Sequence, residues 1–217
     1  MDTIRSSVNH HIKIGVLAGH FATNHSHVSH YIDMTTIKTK CNVARDVAHE
    51  LASKYYDTDI DTIICLEGTQ MVGAFLAESL SANGSGMNQG KNISVITPEL
   101  NSNNQMIFRD NVQRNVANRK IMLLISSASS GKTINRSVEC LAYYGGQLAG
   151  ICAIFSAIDS YNNIPIKAMF KASDVPNYFT SSFADCPLCC ARSSISFCTN
   201  RILHSSAHVN GQDSREC

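Results

Sequence analysis

An unbroken apolar run, Ile121-Met122-Leu123-Leu124-Ile125, constrains this 217-residue chain more than any other feature. A strand that is apolar on both faces must be covered on both, as happens in parallel sheets flanked by helices. The surrounding sequence fits that arrangement. Val43, Ala44, Val47, Ala48, Leu51 and Tyr55 recur at helical spacing over 42–56, and Thr62-Ile63-Ile64-Cys65-Leu66 is a short β-branched run. Met71, Val72, Phe75, Leu76 and Leu80 mark a second amphipathic helix, which Asn83-Gly84-Ser85-Gly86 breaks. Ile93-Ser94-Val95-Ile96 reads as a strand, Ile134, Val138, Leu141 and Ala142 as a helix ended by Gly145-Gly146, and 147–158 as one more buried strand. The alternation predicts an α/β fold: a mostly parallel twisted sheet with helices on both faces. It also divides the chain into a small N-terminal hood at 1–33, a core at 34–185 and a Cys-rich tail at 186–217. Periodicity disappears after Ala191, so the tail is expected to be poorly ordered and outside the core.

Charge narrows the function classes. Charged residues make up 16% of the chain and the net charge is +1, against about 25% charged in an average domain. A broad basic face for nucleic acid is excluded on that balance, whereas a small phosphate site is not. No run approaches the roughly 18–20 apolar residues of a membrane span, and the N-terminus has no secretory pattern. A cytoplasmic, reducing setting is therefore expected. Of the nine cysteines, Cys41, Cys65, Cys140 and Cys152 lie among apolar residues and read as small buried hydrophobes. The other five crowd the tail.

In parallel α/β sheets, ligands sit at the carboxyl ends of strands, in loops that lead into helices. Here those loops are 67–70, 97–110 and 126–133. The last, Ser126-Ser127-Ala128-Ser129-Ser130-Gly131-Lys132-Thr133, follows a buried strand and opens a helix. Small residues let the backbone wrap an anion, and helix-start amides point at it. Gly131-Lys132-Thr133 matches the end of a P-loop, but its first glycine would fall on Ser126, so a P-loop nucleotide-binding protein is the remoter reading.

A second family accounts for more of the chain. Residues 123–133 followed by Cys140-Leu141-Ala142-Tyr143-Tyr144-Gly145-Gly146 resemble the type I phosphoribosyltransferases. Gly19-His20-Phe21 with His25-Ser26-His27 and Tyr31-Ile32-Asp33 looks like the N-terminal signature of the orotate phosphoribosyltransferases. The resemblance implies transfer of a phosphoribosyl group from phosphoribosyl pyrophosphate (PRPP) to a base, an orotate-like pyrimidine, by a homodimer in nucleotide biosynthesis or salvage, with Mg²⁺ as cofactor. Ser127, Ser129, Ser130, Gly131, Lys132 and Thr133 would hold the 5′-phosphate. Glu67, Gly68, Thr69 and Gln70 would face pyrophosphate, Ser26, His27 and Tyr31 the base, and Arg109 and Lys132 would compensate charge in catalysis.

Two departures stand out. The family's paired acids before the phosphate loop fall on Ile125 and Ser126, which carry no carboxylate for Mg²⁺. The stretch 97–110 matches a mobile loop rich in Arg and Lys, but holds one Arg and no Lys; Glu67, Glu99 and Asp110 remain as candidate carboxylates. A catalytically weak sensor of a nucleotide or phosphoribosyl ligand is therefore the alternative to an enzyme.

Six of the nine histidines lie between His10 and His30. On a strand His25 and His27 share a face that His30 does not, so these read as polar turn and substrate-side residues rather than metal ligands. Cys186-Pro187-Leu188-Cys189 has the spacing of half a zinc site. Its only sequence-near complement, Cys198 with His204, has an irregular gap. The balance weighs against zinc, with Cys186 and Cys189 as the residues that would hold it.

Overall fold

A computed structural model describes residues 1–23, 26–82, 84, 86–102, 105–190 and 196–197. The elements run β1 (Asp2–Arg5), β2 (Lys13–Ala22), β3 (His27–Asp33), α1 (Thr35–Thr39), α2 (Cys41–Ser53), β4 (Thr62–Cys65), α3 (Gln70–Ser81), β5 (Ser94–Ile96), β6 (Glu99–Leu100), β7 (Met106–Ile107), α4 (Asp110–Gln113), β8 (Lys120–Ala128), α5 (Lys132–Tyr143), β9 (Gln147–Ser156), β10 (Ser160–Tyr161), β11 (Ile164–Lys171), β12 (Thr180–Ser181), α6 (Pro187–Cys190) and β13 (Ser196–Phe197).

The main sheet has the order β10-β11-β9-β8-β4-β5. All its pairings are parallel except that of β10 with β11. Period-two alternation divides its side chains between two cores. Ile63, Cys65, Met122, Leu124, Cys152 and Ile154 pack on the side of α2 and α3, against Val47, Leu51, Val72 and Leu76. Ile64, Leu123, Ile125, Ile151 and Ala153 pack on the other, against Ile134 and Leu141 of α5. This is the doubly covered parallel sheet that the apolar run required. Among the described residues no helix is long and apolar enough to cross a membrane.

The hood is a second sheet. β1, β2 and β3 pair antiparallel in sequence, and β12 and β13 add to β3 and β2 from the far end of the chain. The hood is thus not confined to 1–33. The described part of the tail also departs from expectation: Cys186 is fully buried, and Ser196–Phe197 pair with Phe21 and Ala22. The remaining tail, with Cys198 and His204, lies outside the described residues. Cys65 and Cys152 are buried as expected, whereas Cys41 is exposed. It opens α2 on the solvent side, with the Arg45 guanidinium 3.7 Å from its sulfur.

Strand β11 escapes the apolar-run reading because Pro165 and Lys167 interrupt it. Its inward residues Ile166, Ala168 and Phe170 still alternate, and Pro165 falls just before the parallel pairing with β9 begins at Ile166, where no ladder donor is required of it.

Candidate phosphate-binding crevice

Two neighbouring parallel strands end side by side. In β4, Cys65 pairs with Leu124 of β8, and β8 runs on to Ala128. The turn after β4 therefore lies level with the last residues of β8. There the Ser127 amide donates to Glu67 Oε2 at 3.2 Å. The 67–70 and 126–133 loops that the sequence singled out are brought together.

Each loop opens a helix suited to an anion. Neither α3 nor α5 has a side-chain hydrogen bond at its N-cap, and neither has an acid in its first turn, so no carboxylate within either first turn offsets the positive end of the helix dipole. Gly131 is the N-cap of α5 at φ +74°, a left-handed conformation natural to glycine. Glu67 adopts φ +55° and Gly68 φ +81°. A non-glycine residue there stores about 1–2 kcal/mol of strain. The tight turn holds the Glu67 carboxylate against β8.

Electrostatics add a residue that the sequence reading missed. Lys38, near the end of α1, lies over this turn: a Cβ on Gly68 would stand 3.7 Å from its Cδ. Desolvation lowers the pKa of Lys38, against the attraction of Glu67 and Asp33. Desolvation likewise raises that of Glu67, against the Ser127 amide and the Lys38 ammonium. The Lys38 ammonium and the carboxylate of the exposed Glu67 thus attract each other across this turn. Nothing in sequence spacing marks Lys38.

The other expected residues fall into three groups. Ser26 meets the phosphate loop from the hood, its Oγ 3.4 Å from that of Ser129, and Thr23 Oγ1 holds Ser26 in place at 3.1 Å. Ser130 and Lys132 are exposed at the start of α5, with Thr133 half-buried. Gln70 is exposed as the first residue of α3. Thr69, expected to face pyrophosphate, is fully buried; its hydroxyl is held by the Leu66 and Leu124 carbonyls at 2.8 and 3.1 Å, so it pins the turn. Tyr31 lies on β3 beside Phe21, 38% exposed.

Arg109 is placed elsewhere. Its side chain is 71% exposed and forms a bidentate pair with Glu99, at 2.5 and 3.0 Å. The preceding Phe108 packs edge-on against Tyr144, just past the far end of α5. Tyr144 lies twelve positions past Lys132, about 18 Å of helix rise. A hollow of about 380 Å³ lies here, lined by Thr97, Glu99, Phe108 and Arg109 among others. It is formed by the β6–β7 hairpin and α4, and neither the 67–70 loop nor the 126–133 loop lines it.

The histidines regroup as well. His30 turns to Ser29 Oγ and stacks near Tyr178. His27, expected on the base side, is buried and points at His20 and Cys189. Cys186 and Cys189 therefore find their histidines in the hood. The signal was present as Gly19-His20 and Ser26-His27, but the contact spans more than 160 positions.

No family model and no curated protein matches the chain. Solved structures do. UMP synthase of Leishmania donovani aligns at TM-score 0.55 and 16% identity, over 73% of this chain and 34% of that one. Orotate phosphoribosyltransferase of Mycobacterium tuberculosis aligns at 0.52 and 10% identity, over 75% and 93%. Adenine phosphoribosyl transferase of Trypanosoma brucei, solved with AMP, pyrophosphate and ribose-5-phosphate, aligns at 0.52 and 13%, over 73% and 78%. The mostly parallel six-stranded sheet with its N-terminal antiparallel sheet matches these folds, and the chain has the fold of the type I phosphoribosyltransferases.

Proposed function

We propose that the crevice between the 67–70 and 126–133 loops binds PRPP and that the chain transfers its phosphoribosyl group to a base, with an orotate-like pyrimidine as acceptor. The observation that carries this reading is the convergence of two uncapped helix N-termini at the carboxyl ends of adjacent parallel strands, tied by the Ser127–Glu67 bond. Two anionic groups, one on each loop, match a ligand with phosphate at one end and pyrophosphate at the other.

In this reading the amides from Ser129 to Thr133 cradle the 5′-phosphate, and Gly68 and the start of α3 hold pyrophosphate. The bond from the ribose C1′ to pyrophosphate oxygen breaks as a base nitrogen bonds to C1′. Negative charge gathers on the leaving group, and Lys38 over the 67–68 turn would offset it, with Lys132 at the phosphate end. Ser26 closes the base side from the hood. Ile125 is fully buried, and Ser126 donates its hydroxyl to Met34 Sδ at 3.7 Å. The end of β8 therefore does not fit a carboxylate-held Mg²⁺, and no step is routed through one. We further place the chain in nucleotide synthesis or salvage, acting as a homodimer.

The same missing carboxylates, with Arg109 held by Glu99, support a second reading as a phosphoribosyl-ligand sensor. Pyrophosphate release from PRPP, measured against a panel of purine and pyrimidine bases, separates the two. Base-dependent release supports the transferase. PRPP binding with no release for any base supports the sensor, and no binding overturns both.

A further inference from the structure

Four soft donors, distant in sequence, meet beneath the hood. Between Ala18 and Phe21 the β2–β3 register shifts by one residue. Such a bulge re-aims side chains, and His20 and Phe21 are both buried in consequence. His27 opens β3 opposite. Cys186 and Cys189 flank the first turn of α6.

The donor atoms of His20, His27, Cys186 and Cys189 all lie within 4.8 Å of one another. His20 Nε2 is 3.1 Å from His27 Nδ1, 3.4 Å from Cys186 Sγ and 3.6 Å from Cys189 Sγ; Cys189 Sγ is 3.2 Å from His27 Nδ1. A tetrahedral Zn²⁺ with its usual bond lengths separates two nitrogens by about 3.3 Å and nitrogen from sulfur by about 3.6 Å. These four separations fall within about 0.4 Å of those values. Both cysteines are free thiols rather than a disulfide. Two thiolates and two imidazoles favour Zn²⁺ over the hard cations Mg²⁺ and Ca²⁺. Four protein ligands, three of them buried, make a closed site, the pattern of structural rather than catalytic zinc.

We propose that His20 through Nε2, His27 through Nδ1, Cys186 and Cys189 bind one structural Zn²⁺. Two thiol protons leave to solvent as the metal enters, so the bound site is neutral. The ion staples β2 and β3 to the start of the tail. Ser26 precedes His27 and meets Ser129, so the staple also fixes the hood where it touches the phosphate loop. The site stands whether or not the transferase reading does.

The test uses the full chain, expressed with zinc and purified under reductant. Elemental analysis should give one zinc per chain. Replacement by Co²⁺ should give intense visible bands of a tetrahedral site with a thiolate charge-transfer band in the near ultraviolet. His20→Ala and Cys189→Ser should each lower zinc content at least tenfold. Should either variant fail to fold, X-ray absorption of the wild-type protein decides, with two sulfur and two nitrogen neighbours expected. Zinc below a tenth of an equivalent with no Co²⁺ uptake, an octahedral Co²⁺ spectrum, or a zinc shell without sulfur would overturn the assignment.

Discussion

Gly131→Ala, paired with Gly145→Ala, separates the phosphate loop's role from the stability of its helix. Both glycines hold left-handed backbone, at φ +74° and +73°, at opposite ends of α5. An ordinary residue in that conformation costs about 1–2 kcal/mol. At Gly145 nothing lies within 4 Å of an added Cβ; at Gly131 the Ile158 Cδ1 lies 3.1 Å away and can shift, being the tip of a side chain. Backbone strain therefore dominates at both sites, and both variants should lose about 2–4 °C in Tm per kcal/mol of it. Ligand binding should distinguish them. Strain at 131 is relieved by rotating the peptide units that, in the proposed site, would aim the amides of Lys132 and Thr133 at phosphate. A hydrogen bond to a charged group contributes about 1.5–3 kcal/mol, which is roughly 10–150-fold in affinity for each one lost. Titration calorimetry with PRPP, run beside thermal melts, should show at least a tenfold loss for Gly131→Ala and unchanged affinity for Gly145→Ala. Unchanged affinity in folded Gly131→Ala, or equal losses in both, refutes the phosphate-loop argument.

Lys38→Met keeps the apolar stem and removes the charge over the 67–68 turn; pyrophosphate should compete with PRPP about tenfold less well, and an unchanged inhibition constant would remove Lys38 from the site. Asn88 is fully buried, accepting from the Ile60 amide at 2.8 Å and donating to the Thr58 carbonyl at 2.7 Å; Asn88→Ala leaves both unpaired and should cost about 2–4 kcal/mol in urea unfolding, with a loss below 1 kcal/mol arguing against that role. The Lys120 amide and the Lys91 ammonium hold Asp61 below the usual carboxylate range, and Lys120 and Lys91 do the same for Asp59. Their stabilisation is complete above the unfolded value of about 3.9 and is lost as pH falls through the lower folded values. The stability gap between wild type and Asp61→Asn, about 1 kcal/mol at pH 7, should therefore close on acidification, and a gap independent of pH would contradict this.

The legible parts of the fold were those where burial is local in sequence. Strands β4, β8 and β9 are apolar on successive residues because helices cover both faces, and α2, α3 and α5 show the complementary stripes. The hood was harder, because β2 and β3 mix buried polar residues such as His20 and Ser29 with apolar ones, and the bulge at 18–21 breaks the alternation. The crevice followed the same division. Gly131 and Gly68 announce turns, and both adopt positive φ. Lys38 carries no local signal, since its importance comes from packing α1 over a turn about thirty residues away. Thr69 has the residue type of a phosphate ligand, but the short turn after β4 points its hydroxyl into the sheet. Cys186 and Cys189 were visible as a spacing; their histidine partners were not, because only the fold returns the tail to the hood.

A crystal structure of the protein with PRPP bound tests the central claim most directly. It should place the 5′-phosphate on the amides from Ser129 to Thr133, and pyrophosphate against Gly68 and the start of α3 within reach of Lys38. A ligand lodged instead in the hollow beside Arg109 and Glu99, or crystals grown at saturating PRPP with no ligand in the crevice, would contradict it.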